Sequence, residues 1–267
     1  MATKNAVLNY EQQFYLSGIP LSGVTNLNGS YSINENPINI IGKGFTYPVR
    51  QGAMVGNFSI QKYYIGQDPL LSYTGDHPIS GSINFNDKSF GFESGYLTEY
   101  SVSAGIGRIP ESNASIVVYG DIGSGIDAYG SMAHPKIEIP NQGSISLNAT
   151  GYQSNRITDF SYSMRINRSP VYKIGSPFPV QVDRSFPISQ EATFAIEVDD
   201  YEISRIQEYL IKPKQQKIVI ELKNPINSSK IESFEIQKAR LLSQSISSDS
   251  QDLMTVNLTY AGYINKK

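Results

Sequence analysis

Tyr31–Ile60, YSINENPINIIGKGFTYPVRQGAMVGNFSI, returns in altered form as Tyr162–Ile196, YSMRINRSPVYKIGSPFPVQVDRSFPISQEATFAI. Both stretches open on Tyr-Ser followed by an apolar residue, and both carry a proline with a glycine five residues on, Pro37 to Gly42 and Pro170 to Gly175. Each then passes through a Pro-containing loop into a Phe-x-Ile strand, Phe58–Ile60 and Phe194–Ile196. A repeat on this scale decides architecture before any single residue does.

The similarity extends outward. Gln13–Ile33 aligns without a gap on Ser144–Met164, an offset of 131 residues (162 − 31), with Leu16/Leu147, Ser30/Ser161, Tyr31/Tyr162 and Ser32/Ser163 identical. Side-chain phase is preserved, and a one-residue slip would turn every side chain to the other face. The reading is two tandem copies of one antiparallel β-sandwich or barrel-like domain. Residues 1–120 and 136–267 are the copies. Asp121–Pro135, DIGSGIDAYGSMAHP, is rich in Gly, Ser and Ala and reads as the linker.

Composition agrees with a β protein. Tyrosine is frequent (18) and Trp is absent, while only 17% of the 267 residues are charged. Such a weakly charged surface suits cover by other subunits. A net charge of −2 supplies no basic field for nucleic acid. Cysteine is absent, so neither a disulfide framework nor thiol chemistry is expected. Residues 1–13 lack the apolar run of a signal peptide and no stretch reaches the length of a membrane span, so the expectation is a protein made and used without export or membrane insertion.

Along the chain, Gln13–Ser17, Leu27–Asn34, Ile38–Ile41 and Asn57–Tyr63 read as strands, with Gly42–Gly56 a long hairpin loop. Asp68 followed by Pro69 predicts a short capped helix. Pro78–Phe85 and Lys88–Phe92 form a hairpin, and Ser115–Tyr119 closes the first copy. In the second copy Phe160, Tyr162, Met164 and Ile166 alternate with polar residues, as do Met254, Val256, Leu258 and Tyr260. Its helix is expected over Asp199–Ile211, with a capping box of Asp199 and Glu202 and a stop at Pro213.

No catalytic, cofactor or metal site is expected. Gly123-Ser-Gly125-Ile-Asp-Ala128 resembles a dinucleotide fingerprint but lacks a βαβ setting. His77 and His134 are the only histidines and have no thiol to join them. Asp199-Asp200 beside a helix start reads as caps. The chain carries no signature of an enzyme.

In element order the chain resembles the tail tube proteins of long-tailed bacteriophages. Leu27–Ile60 with its loop Gly42–Gly56 and Tyr162–Ile196 with its loop Gly175–Ala192 carry the resemblance, completed by the helices near Asp68–Leu71 and Asp199–Ile211. It implies a virion structural protein, assembled in the host cytoplasm into stacked rings around a channel that conducts DNA without binding it specifically. Two fused domains imply a pseudo-hexameric ring of three chains. The implied partners are further copies of itself and other tail proteins: tape measure, baseplate and terminator. A baseplate hub or distal tail protein of the same duplicated type, and a carbohydrate-binding β-sandwich, are the alternative readings.

Two expectations follow for that assembly. The channel wall should be neutral or acidic, with most of the 22 Lys and Arg outside it or in subunit contacts. The two loops should make ring-to-ring contacts through Lys43, Phe45, Tyr47, Val49, Arg50 and Met54 in the first and Phe178, Val180, Arg184 and Phe186 in the second, with Val182 and Ile188 also exposed there. Lys43 and Arg50 have no acid within their loop, whereas Asp183 adjoins Arg184.

Overall fold

The computed structural model describes residues 12–33, 35–42, 44, 46–50, 54–85, 88–130, 136–140, 145–149, 152–154, 156–197, 215–248 and 254–266. The first half contains β1 (Gln12–Leu16), β2 (Ile19–Leu21), β3 (Val24–Ser32), β4 (Glu35–Asn39), β5 (Thr46–Arg50), β6 (Val55–Tyr63), a 3₁₀ helix (Pro69–Tyr73), β7 (Ile79–Phe85), β8 (Lys88–Gly105), β9 (Glu111–Val118) and β10 (Ile122–Ser124). The second contains β11 (Ile145–Ala149), β12 (Tyr152–Ser154), β13 (Ile157–Val171), β14 (Gln181–Glu197), β15 (Gln216–Lys223), β16 (Lys230–Ser247) and β17 (Thr255–Ile264). The protein is mainly β, and every pairing among these strands is antiparallel.

Hydrogen-bonded neighbours run β3-β6-β9-β8-β7-β1-β2 in the first half and β13-β14-β17-β16-β15-β11-β12 in the second. Both paths use their strands in the same chain order. Registers agree as well. Gly29 faces Phe58 and Tyr31 faces Gly56, as Phe160 faces Phe194 and Tyr162 faces Ala192. Phe14 faces Ile83 as Ile145 faces Leu222. A bulge breaks β8·β9 between Leu97 and Glu99, and another breaks β16·β17 between Leu241 and Ser243.

Where the halves differ, volume is exchanged across the pair. A Cβ on Gly29 would lie 2.5 Å from the Phe58 ring, so that ring fills the place of the absent side chain. At the corresponding second-half pair both residues are Phe, and their rings stack at 5.7 Å.

The halves are joined edge to edge. β8 pairs with β13 from Glu99↔Arg165 to Gly105↔Asp159, making one continuous sheet. Leu16, Phe58, Phe92, Tyr100, Phe160, Phe194 and Leu258 belong to one core that runs through both halves. The alternation read in the second half holds, with Phe160, Tyr162, Met164 and Ile166 all buried.

Several expected boundaries need correction. Gly42–Gly56 is not one loop: Thr46–Arg50 pairs with Glu35–Asn39 in a separate two-stranded ribbon, and Val55 already belongs to β6. Pro48 is tolerated there because a two-stranded ribbon leaves outer edges unpaired. Most of Gly175–Ala192 is strand too, since β14 starts at Gln181. Pro187 within it sits at a register shift, where Arg165↔Ser189 gives way to Asn167↔Ser185. Within the stretch read as linker, Ile122–Ser124 pairs with Phe90–Phe92, Ala128 is buried and Asp127 accepts from Asn84 Nδ2 at 2.9 Å.

The 3₁₀ helix forms where Asp68 and Pro69 predict it, and the Asp68 side chain accepts from the Leu70 N–H. The expected helix Asp199–Ile211 lies outside the described residues.

Candidate functional site

Two polar clusters hold the fold and frame the surfaces left over. Asp68 is buried, its Oδ2 accepting from the Tyr100 and Ser112 hydroxyls, each at 3.0 Å, with Lys62 Nζ at 3.5 Å. Its Oδ1 takes the Leu70 N–H at 3.2 Å. A carboxylate so supplied with donors tolerates burial. Burial raises the Tyr100 hydroxyl well above its ordinary value, so it stays a donor.

The second cluster clasps the halves together. Arg168 on β13 donates Nε to the Leu97 carbonyl at 2.9 Å and Nη1 to the Gly75 carbonyl at 2.8 Å, with its guanidinium over the Tyr96 ring. Arg184 on β14 donates Nε to Asp76 Oδ1 at 2.8 Å, and Arg168 Nη1 lies 3.6 Å from the same oxygen. Burial lowers the Arg168 pKa, yet arginine keeps its charge under all ordinary conditions.

Several strand edges lack a second partner among the described residues, those of β2, β10 and β12 among them; the two that correspond to the β8·β13 junction lie on β3 and β16. β3 pairs on one side with β6 only. On this strand Tyr31 is 54% exposed, whereas Tyr162, its counterpart on β13, is 4% exposed on a strand that β8 flanks. The end of β16, Ser243–Ser247, pairs with β17 alone, leaving Leu242 and Ile246 exposed. Its counterpart on β8 carries buried Tyr100 and Val102 and is paired on both sides. These edges were missed in the sequence, where Tyr31 and Tyr162 align and nothing separates an edge strand from a paired one.

The expected contact residues divide. Lys43 and Phe45 lie outside the described residues, while Tyr47, Val49 and Arg50 lie on β5. Met54 is half-buried just before β6. Arg184 is engaged with Asp76, Phe186 packs on the core, and Val182 and Ile188 are buried, so exposure of these apolar groups is corrected. Phe178 is half-buried and Val180 is exposed.

What the two hairpins do share is a tip. Ile41 and Ile174 are fully exposed, each followed by a glycine at positive φ, Gly42 at 81° and Gly175 at 87°. Glycine enters that backbone region without the penalty a Cβ brings.

The sheet face opposite the core is paved with hydroxyls. Ser103, Ser161, Thr193, Thr259 and Ser243 face one another in register across β8, β13, β14, β17 and β16. Glu99, Glu191, Glu197 and Asp159 share this face with Arg165, which pairs with Glu99, and Arg108 pairs with Asp159.

Gly123-Ser-Gly125 opens no helix, since Ile122–Ser124 is a strand antiparallel to β8. Among the described residues no group of three or more His, Asp or Glu side chains is placed to hold a metal ion, and no helix is long and apolar enough to cross a membrane. No protein-family model matches the chain, and no curated protein matches it either.

Proposed function

We propose that the chain is a structural subunit of the phage tail tube type, built from two copies of one domain and assembling with further copies of itself into rings around a DNA-conducting channel. The observation that carries this reading is the junction β8·β13. In it an edge of the first half meets an edge of the second, while the corresponding edges, β16 and β3, remain without partners. A head-to-tail contact of this kind gives a ring when its rotation closes, and closure pairs both of these edges.

The hydroxyl-paved face suits a channel wall. It offers polar groups to water, and Glu99 and Asp159 hold Arg165 and Arg108 in ion pairs. Glu191 and Glu197 outnumber Arg240, which shares the face opposite Ala261, so the face gives phosphates little to hold. The exposed tips at Ile41 and Ile174 suit contacts between successive rings. By the resemblance a ring holds three chains, lies in the virion tail and meets the tape measure, baseplate and terminator proteins. Electron microscopy of the purified protein tests the reading: rings or tubes are expected, and isolated monomers at every concentration contradict it.

A further inference from the structure

We propose that the end of β16 pairs antiparallel with β3 of a second copy of this chain, in the register that places Ser247 opposite Ser30, Ser245 opposite Ser32 and Ile246 opposite Tyr31. The inference rests on the self-assembly reading above and specifies the contact that would make it.

The register comes from the junction within the chain. There Ser103 faces Ser161, Val102 faces Tyr162 and Ser101 faces Ser163. The strand pairs β8·β9 and β16·β17 carry the same bulge, Leu97/Glu99 and Leu241/Ser243. Beyond it Ser103 faces Glu111 and Ser247 faces Thr255, the first residues of β9 and β17. Ser103 therefore corresponds to Ser247 and Val102 to Ile246. On the other strand Phe160↔Phe194 and Tyr162↔Ala192 match Gly29↔Phe58 and Tyr31↔Gly56. Ser161 therefore corresponds to Ser30 and Tyr162 to Tyr31.

Exposure supports the same pairing. Tyr31 at 54% and Ile246 at 51% are about half exposed, yet Tyr162 and Val102, facing each other in the internal junction, are buried. Joining the edges would cover both apolar groups and satisfy a row of backbone donors and acceptors. It would also carry the Ser-rich face across the boundary. The charged pair Glu99–Arg165 has no counterpart on β16, where Ser243 takes the place of Glu99, so the contact between chains is more weakly tied than the one within.

The chain has no cysteine, so introduced pairs report on a clean background. Directly opposed residues of an antiparallel pair have Cα atoms about 4.5–5.5 Å apart, within the span a disulfide bridges. A chain carrying both Ser30→Cys and Ser247→Cys, mildly oxidised, is expected to give a ladder of covalent multimers on a non-reducing gel. Ser32→Cys with Ser245→Cys should do the same and guards against one pair failing to fold. Ser30→Cys with Ser243→Cys, about four residues out of register, should stay largely unlinked. If the protein assembles but neither in-register pair links, or the out-of-register pair links best, the contact is wrong and the self-assembly reading stands. If the protein stays monomeric by light scattering at every concentration, both fall.

Discussion

Asp68 does two jobs at once. It caps the 3₁₀ helix through Leu70, and it collects Tyr100, Ser112 and Lys62 from β8, β9 and β6. Asp68→Ala removes the anion and leaves the buried Lys62 ammonium without its partner, which should cost about 3–5 kcal/mol. Denaturant titration should show the midpoint falling with an unchanged slope; a loss below about 1 kcal/mol would mean that water, not Asp68, solvates Lys62. The cap was legible in the sequence, because Asp-Pro carries its own local chemistry. Its other partners were not, because Tyr100 and Ser112 lie 32 and 44 residues away and only the sheet brings them in.

Glu232 on β16 is held above its ordinary value, chiefly because half-burial penalises its charge. A group whose pKa rises on folding favours the fold while protonated. Its contribution is complete below the unfolded value, 4.5, and is lost as pH rises through the raised folded value. Glu232→Gln should therefore raise the Tm at pH 7 by a few degrees and leave it nearly unchanged near pH 4. Thermal melts at the two pH values check the sign, and an equal gain at both would remove the electrostatic cause.

At the level of elements, strands were more legible than loops. Phase was plain in Phe160–Ile166 and Val256–Tyr260 because one face is packed and the other wet. Val182, Phe186 and Ile188 carry the same alternation, but Pro179 and Pro187 read as loop signals and hid it; a bulge lets Pro187 remain within the strand. The spacing Pro37 to Gly42 recurs as Pro170 to Gly175 and ends each time at a hairpin tip, although Ile38–Ile41 was read as strand and Gly42–Gly56 as one loop. Ile41→Asp combined with Ile174→Asp should leave the thermal melt within about 0.5 kcal/mol of the parent, because both side chains are bare. Under the microscope, single rings should replace stacked tubes. Tubes of unchanged length would take the tips out of the assembly.

For the molecule as a whole, the two matching strand paths and the junction between them explain why one chain can be both complete in its core and incomplete at its edges. The core needs no partner, since the apolar faces of both halves meet in one cluster. The edges do. Which edges they are was beyond the sequence, because an unpaired strand and a paired one carry the same alternation; only the topology separates β3 from β13. If the hydroxyl-paved face lines the channel, Ser161→Lys with Thr193→Lys should turn it into a phosphate-binding wall. Assembled particles of that variant should retain DNA at low salt and release it as salt rises, while the parent retains none. Retention by neither would place this face outside the channel.

Closure of the chain on copies of itself is decided by native mass measurement of the assembled particle. Rings of three chains are expected, with averaged images showing six similar lobes, in line with the two matching strand paths in each chain. Six chains per ring, or a monomer that persists at high concentration, would contradict it.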